Sequence, residues 1–228
     1  MVPLNSFELT GRAATHVRDV SGLAAIRLHP QVHAALAGMR EASVAAGIEL
    51  EVVSGFRDFQ RQSGIWNGKF RGERPMLDAA GQPLEVGKLD DAQRVSSILI
   101  WSALPGASRH HWGTDFDVID RAAVPPGYRV ELTVAEFTDG GPFVRLNEWL
   151  GANLGNHGFF RPYTTYRGGV SPEPWHLSFA PLAVPALESF TLEMLTDAIE
   201  TSDLAGRETV LAQLPELFER YVRAVDSP

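Results

Sequence analysis

Two short runs hold the residue types that can do chemistry. The first is Ser108-Arg109-His110-His111-Trp112-Gly113-Thr114-Asp115-Phe116-Asp117, and the second is Glu173-Pro174-Trp175-His176. Their side chains could place His110, Asp117 and His176 around one metal ion, with Glu173 beside them. A catalytic zinc takes three protein ligands and keeps a fourth position open for water. The chain has no cysteine. Any metal must therefore use His, Asp or Glu, which suits a catalytic zinc better than a structural one. If these residues converge, the chemistry is metal-assisted hydrolysis with one zinc ion.

The local pattern says how they could converge. Gly113 permits a sharp turn between His110 and a strand that begins near Thr114. Along that strand Asp115, Asp117 and Ile119 share one face, and Thr114, Phe116 and Val118 share the other. In the second run, His176 and Ser178 share a face opposite Trp175, Leu177 and Phe179. Pro174 excludes a regular helix or central ladder there, so Glu173 stands on the approach to a strand and His176 on the strand itself. Two adjacent strands would bring the three ligands together. Taken singly, each residue is ordinary. His16, His29, His33, His111 and His157 read as surface or satisfied core. Trp112, Trp175, Phe159, Phe160, Tyr163 and Tyr166 read as packing or as cleft lining.

Around these runs, Pro30 starts an amphipathic helix to about residue 46, closed by Gly47. A strand follows over 48–54. Asp58 caps a helix through Ile65-Trp66, and 67–89 reads as a long surface loop. Asp90-Asp91 caps the next helix. A further helix starts at 143 and ends near Gly155, and 156–172 is a loop. Residues 1–29 read as irregular, and 186–200 and 207–225 as two terminal helices. The expected class is α+β: a small antiparallel sheet carrying the zinc site, flanked by helices, with a C-terminal helical extension. Residues 1–185 form the expected catalytic unit and 186–228 the extension, packed on the same domain.

The 228 residues carry 20 Lys+Arg against 28 Asp+Glu, a formal charge of −8. With no basic run to neutralise phosphates, nucleic acid is not an expected partner. No stretch of about 18 apolar residues exists to span a membrane. The opening Met1-Val-Pro-Leu-Asn-Ser lacks a basic start and an apolar core, so no export signal is visible. The expectation is the cytoplasm, or the periplasm or exterior if a signal has been removed. Composition does not specify an oligomeric state.

The spaced pattern Ser108-x-His110-x-x-Gly113-x-Asp115-x-Asp117, followed by Glu173-x-x-His176, resembles the signature of the D-alanyl-D-alanine carboxypeptidase group of zinc peptidases. That fold is shared with lysostaphin-type enzymes and the hedgehog signalling domain. Ser54-Gly55-Phe56-Arg57 with Gln62 is similar to the group's Ser-Gly-Tyr-Arg motif and the Gln five residues after its Arg. The three motifs run in family order across roughly residues 50–180. Asp115 departs from the pattern, since alanine is common there.

The resemblance implies a zinc carboxypeptidase acting on D-amino-acid-containing stem peptides of peptidoglycan, D-Ala-D-Ala or L,D in type. Glu173 would be general base and then acid, and Arg57 would stabilise the oxyanion or hold a terminal carboxylate. Ser108 and Gln62 would contact substrate. Asp115 would orient His110 or bind a substrate ammonium. A D,D-dipeptidase or a peptidoglycan endopeptidase would use the same residues. A non-catalytic zinc-binding interaction domain ranks below these, because Glu173 and Arg57 are both present.

Overall fold

The computed structural model describes residues 3–23 and 25–228; Met1 and Val2, part of the opening segment searched for a signal, lie outside them. Helix α1 (Ser6–Leu9) is started by a capping box between Asn5 and Glu8. A small hairpin pairs β1 (Arg18–Asp19) with β2 (Arg27–Leu28). Helix α2 (Pro30–Ala45) begins on its proline and buries Val32, Leu36, Met39 and Ser43. Strand β3 (Leu50–Ser54) leads to α3 (Phe59–Phe70), whose Arg61 N–H donates to the Asp58 cap. Helix α4 (Asp91–Trp101) starts with a second capping box, Asp90 with Gln93. After a 3-10 turn, Arg109–Trp112, come β4 (Asp115–Asp120), α5 (Val134–Phe137), α6 (Val144–Asn153), β5 (Phe159–Phe160) and β6 (His176–Phe179). Three helices close the chain: α7 (Ala180–Ser189), α8 (Leu192–Glu200) and α9 (Arg207–Phe218).

The main sheet has the order β3-β4-β6-β5 and every pairing is antiparallel, so the fold is the expected α+β class. Several sequence expectations need correction. The first 29 residues are not irregular, because side-chain capping makes α1 and backbone pairing makes the β1–β2 hairpin. The 67–89 loop holds the last turn of α3, a bridge between Leu77 and Pro83, and a 3-10 turn at Val86–Lys88. The 156–172 loop contains β5. The helix expected over 186–200 is two helices, because Phe190 adopts extended dihedrals and the Thr191 side chain starts α8 afresh. The expected division after residue 185 falls inside α7.

Two apolar cores flank the sheet. One gathers α2, α6 and the inner face of the strands, including Leu36, Val52, Phe116, Val118, Leu150 and Leu177. The other gathers α3, α4 and the three closing helices around Trp66, Leu99, Phe190, Leu195 and Leu214, and it includes Trp112 of the 3-10 turn. The closing helices thus share a core with the turn that presents His110. Among the described residues, no helix is long and apolar enough to cross a membrane.

Gly113 ends the 3-10 turn in the left-handed region at φ +66°, and its carbonyl accepts from His29 N–H at 2.8 Å. A Cβ there would collide with Val17 and lie 3.1 Å from His29 N. Substituting Gly113→Ala should therefore destabilise the fold by about 2 kcal/mol or more, from strained dihedrals and the clash together. Urea unfolding monitored by circular dichroism checks this; an unchanged midpoint would refute it.

Candidate metal centre

Strand register builds the centre. In the β4–β6 ladder Asp117 lies directly opposite His176, and Asp115 opposite Ser178. On the other side of β4, a bulge between Val52 and Ser54 brings Ser54 opposite Asp117. One row across the sheet thus reads Ser54, Asp117, His176. The 3-10 turn before β4 lies along the continuation of β3, where Arg57 N–H donates to the His110 carbonyl at 3.2 Å.

His110, Asp117 and His176 each offer a ligand atom, and these atoms lie within 4.8 Å of one another. All three residues are buried. His110 Nδ1 lies 2.9 Å from the Gly55 carbonyl, so it carries the proton and leaves Nε2, 3.4 Å from Asp117 Oδ2, free to ligate. His176 is held the other way round. Its Nε2 donates to Asp115 Oδ1 at 3.1 Å, which frees Nδ1, 3.4 Å from Asp117 Oδ1. Glu173 Oε2 is 3.3 Å from that same Nδ1. Glu173 therefore stands beside the ligand set without belonging to it.

The electrostatics match a cation site. Burial alone would raise the Asp117 carboxyl, but the His110 and His176 imidazoles beside it hold it far below the usual range. Burial opposes charge on His176, yet the carboxylates of Asp115, Asp117 and Glu173 raise its pKa well above the ordinary value. Two of these, Asp117 and Glu173, face Nδ1, where a bound cation would take the place of a proton. Asp117 Oδ1 is buried without a hydrogen-bond partner among the described residues, and a metal ion would satisfy such an orphan. Two imidazoles and a carboxylate with one orphaned oxygen fit zinc.

Asp115 is corrected. It is fully buried and accepts from Arg109 Nε at 2.7 Å, from Thr114 Oγ1 at 2.5 Å and from His176. It cannot meet a substrate ammonium, and it orients His176 rather than His110. Arg109, whose guanidinium stacks over Trp112 and Phe160 and donates to Ser178 Oγ, holds the Asp115 carboxyl down to about 2 against burial. Gln62 is corrected likewise. Both ends of its buried amide are occupied, Oε1 by Arg57 Nη1 at 2.9 Å and Nε2 by the Ala103 carbonyl at 2.8 Å. It braces Arg57 instead of waiting for substrate. Arg57 Nη2 also donates to Ser54 Oγ at 3.3 Å and lies 3.8 Å from Asp117. Ser108 is buried at the start of the 3-10 turn, with 1 % exposure.

His111, which sequence reasoning set aside, and Arg109, to which it gave no role, both support these groups. Burial pushes the His111 pKa down to about 3, so it is neutral; its Nδ1 donates to the Arg57 carbonyl at 2.5 Å and its Nε2 accepts from Gly106 N–H at 3.1 Å. Arg109 carried no signal beyond its place between Ser108 and His110. Tyr163 packs edge-on against His176 with ring centroids 5.1 Å apart, and its carbonyl accepts from Glu173 N–H at 2.9 Å.

Fold and site together fit a metallopeptidase. The family model described as VanY, D-alanyl-D-alanine carboxypeptidase, matches residues 25–182, and the chain belongs to that family. An uncharacterised protein of Haemophilus influenzae is 35% identical over 121 residues, which is 52% of this chain and 92% of that relative. Two solved structures share the fold. VanYB in complex with D-alanine-D-alanine aligns with a TM-score of 0.55 and 20% identity, over 84% of this chain and 92% of its own. The LdcB LD-carboxypeptidase aligns with a TM-score of 0.53 and 21% identity, over 92% of this chain and 81% of its own.

The hydrogen bond from His176 to Asp115 generates a prediction. Groups that orient a histidine ligand typically contribute about 10- to 100-fold in metal affinity. Asp115→Asn should weaken zinc binding by about that factor, as read by competition with a chromophoric chelator. Equal zinc affinity in the variant would show that this hydrogen bond does not set the ligand.

Proposed function

We propose that the protein is a zinc carboxypeptidase that removes a terminal D-amino acid from peptidoglycan stem peptides or their fragments. His110 Nε2, Asp117 and His176 Nδ1 would hold one zinc ion. When bound, zinc supplies Lewis-acid activation of water and of the scissile carbonyl. The observation that carries the reading is Glu173 Oε2 at 3.3 Å from His176 Nδ1. From there the carboxylate reaches a water molecule at the centre without occupying the ligand set.

Glu173 takes the proton from the attacking water as general base and returns it to the leaving amine as the peptide C–N bond breaks. Arg57, braced by Gln62 and Ser54, presents a fixed positive charge beside Asp117. A guanidinium held in one orientation stabilises the developing oxyanion or receives the substrate's terminal carboxylate. Family membership and the shared fold support the substrate class.

Glu173→Ala should lower turnover by about 100-fold or more, since positioned acid–base groups typically contribute 10²–10⁴. Elemental analysis should still find one zinc per chain, because Glu173 is not a ligand. Near-normal turnover in this variant would remove Glu173 as the base. The substrate is read by incubating the zinc-loaded protein with a muropeptide panel and weighing the products. Loss of one terminal residue is expected. Release of a dipeptide or an internal cut would replace the carboxypeptidase reading with a dipeptidase or endopeptidase on the same site.

A further inference from the structure

Residues 183–228 lie beyond the stretch that the family model matches, yet this segment reaches the site. After α9, a π-helical turn over Glu219–Arg223 carries the chain back towards the loop that precedes Glu173. Gly169 in that loop sits so close to Arg220 that a Cβ would strike its carbonyl, and Arg220 Nε donates to the Gly168 carbonyl. Asp226 then grips the same loop. Its backbone N–H donates to the Pro162 carbonyl at 2.9 Å. Its Oδ2 accepts from Thr164 N–H at 2.8 Å, from the Thr164 hydroxyl, and from Thr165 N–H at 3.2 Å. Its Oδ1 accepts from Arg167 Nε at 2.7 Å.

These contacts bracket Tyr163, taking hold of the residue before it and the two after it. Tyr163 in turn makes two contacts with the site, its ring edge-on to His176 and its carbonyl on Glu173 N–H. The Asp226 side chain is 12% exposed while Thr164, Thr165 and Arg167 lie at the surface, so the clamp rests on several hydrogen bonds to one carboxylate and not on a lone ion pair. A continuous chain of packed and hydrogen-bonded groups therefore runs from the closing segment to a ligand and to the acid–base residue. We propose that Asp226 is a positioning residue of the hydrolytic site: by fixing the turn around Tyr163 it sets that ring against His176 and that carbonyl against Glu173. This rests on the roles given to His176 and Glu173 under Proposed function.

The test compares Asp226→Ala, Thr164→Val, Tyr163→Ala and the double variant D226A/Y163A, all in the full chain. Thr164→Val opens the same clamp from the loop side and serves if Asp226→Ala does not fold. The first readout needs no activity. Because His176 lies within the ring current of Tyr163, opening the clamp should shift the His176 ring-proton resonances and leave those of His110 in place. The second is kinetic, on the zinc-loaded protein well below its melting temperature. A displaced reacting group typically costs up to 100-fold, so opening the clamp should lower kcat by about 10-fold with KM little changed. Adding D226A to Y163A should cause no further loss, as expected for residues acting through one contact. Unmoved His176 resonances, or independent and additive losses, would overturn the proposal and leave Asp226 as a loop stabiliser only. If the resonances shift but wild type cleaves no peptide, the positioning contact stands and the carboxypeptidase reading fails.

Discussion

Asp117 faces His176 across the β4–β6 ladder, and the rest of the structure is arranged to keep that pair in place. A carboxylate taken out of water carries a desolvation penalty of several kcal/mol unless charge and hydrogen bonds offset it. Here the offset comes from His110, His176 and Arg57, which approach Asp117 from three different elements. The turn that carries His110 is pinned by one apolar core through Trp112, and β6 by the other through Leu177. Because side chains alternate along a strand, a one-residue slip would move Asp117 to the face where Phe116 and Val118 now pack. The filled core beneath β4 makes that slip costly, so hydrophobic packing protects the geometry of a polar site.

Around the pair lies a second set of polar groups with little spare hydrogen-bonding capacity. Arg109 neutralises Asp115, Asp115 orients His176, and Ser178 and Thr114 take remaining donors and acceptors. On the other flank His111 and Gln62 hold the backbone and the guanidinium of Arg57. Groups locked in this way need little reorganisation when charge develops, which is the physical basis of electrostatic preorganisation. Asp115 belongs to this layer: the chain buries a carboxylate there and stacks Arg109 over Trp112 and Phe160 to balance it.

Much of the fold was legible because its signals are local. Pro30, Asp58 and Asp90 marked helix starts that short-range capping enforces, and the alternation of β4 and β6 marked strands whose period needs no tertiary information. The failures have equally physical causes. The strands of the β1–β2 hairpin are two residues each, too short to show an alternation, and the equally short β5 exists only through its pairing with β6. The break at Phe190 interrupts a stretch that reads continuously as helix, and the buried aromatic that fills the core there overrides propensity.

The amino-acid sequence by itself determined which atoms could serve at the centre: two imidazoles, a carboxylate and a spare glutamate, in an order and spacing that strand periodicity can bring to one face. It did so because ligand chemistry and strand period are properties of residues and their near neighbours. Only the tertiary structure decided which nitrogen of each histidine is free, that Asp115 serves His176, that Gln62 serves Arg57, and that Asp226 closes on the loop beside Glu173. Gln62 and Arg57 are only five residues apart, but the other choices depend on partners 55 residues away for His110 with Gly55, 61 for His176 with Asp115, and 59 to 64 for the Asp226 clamp. Pairing at such distances is set by register and by which cores enclose the groups, and neither is written in any local run of side chains.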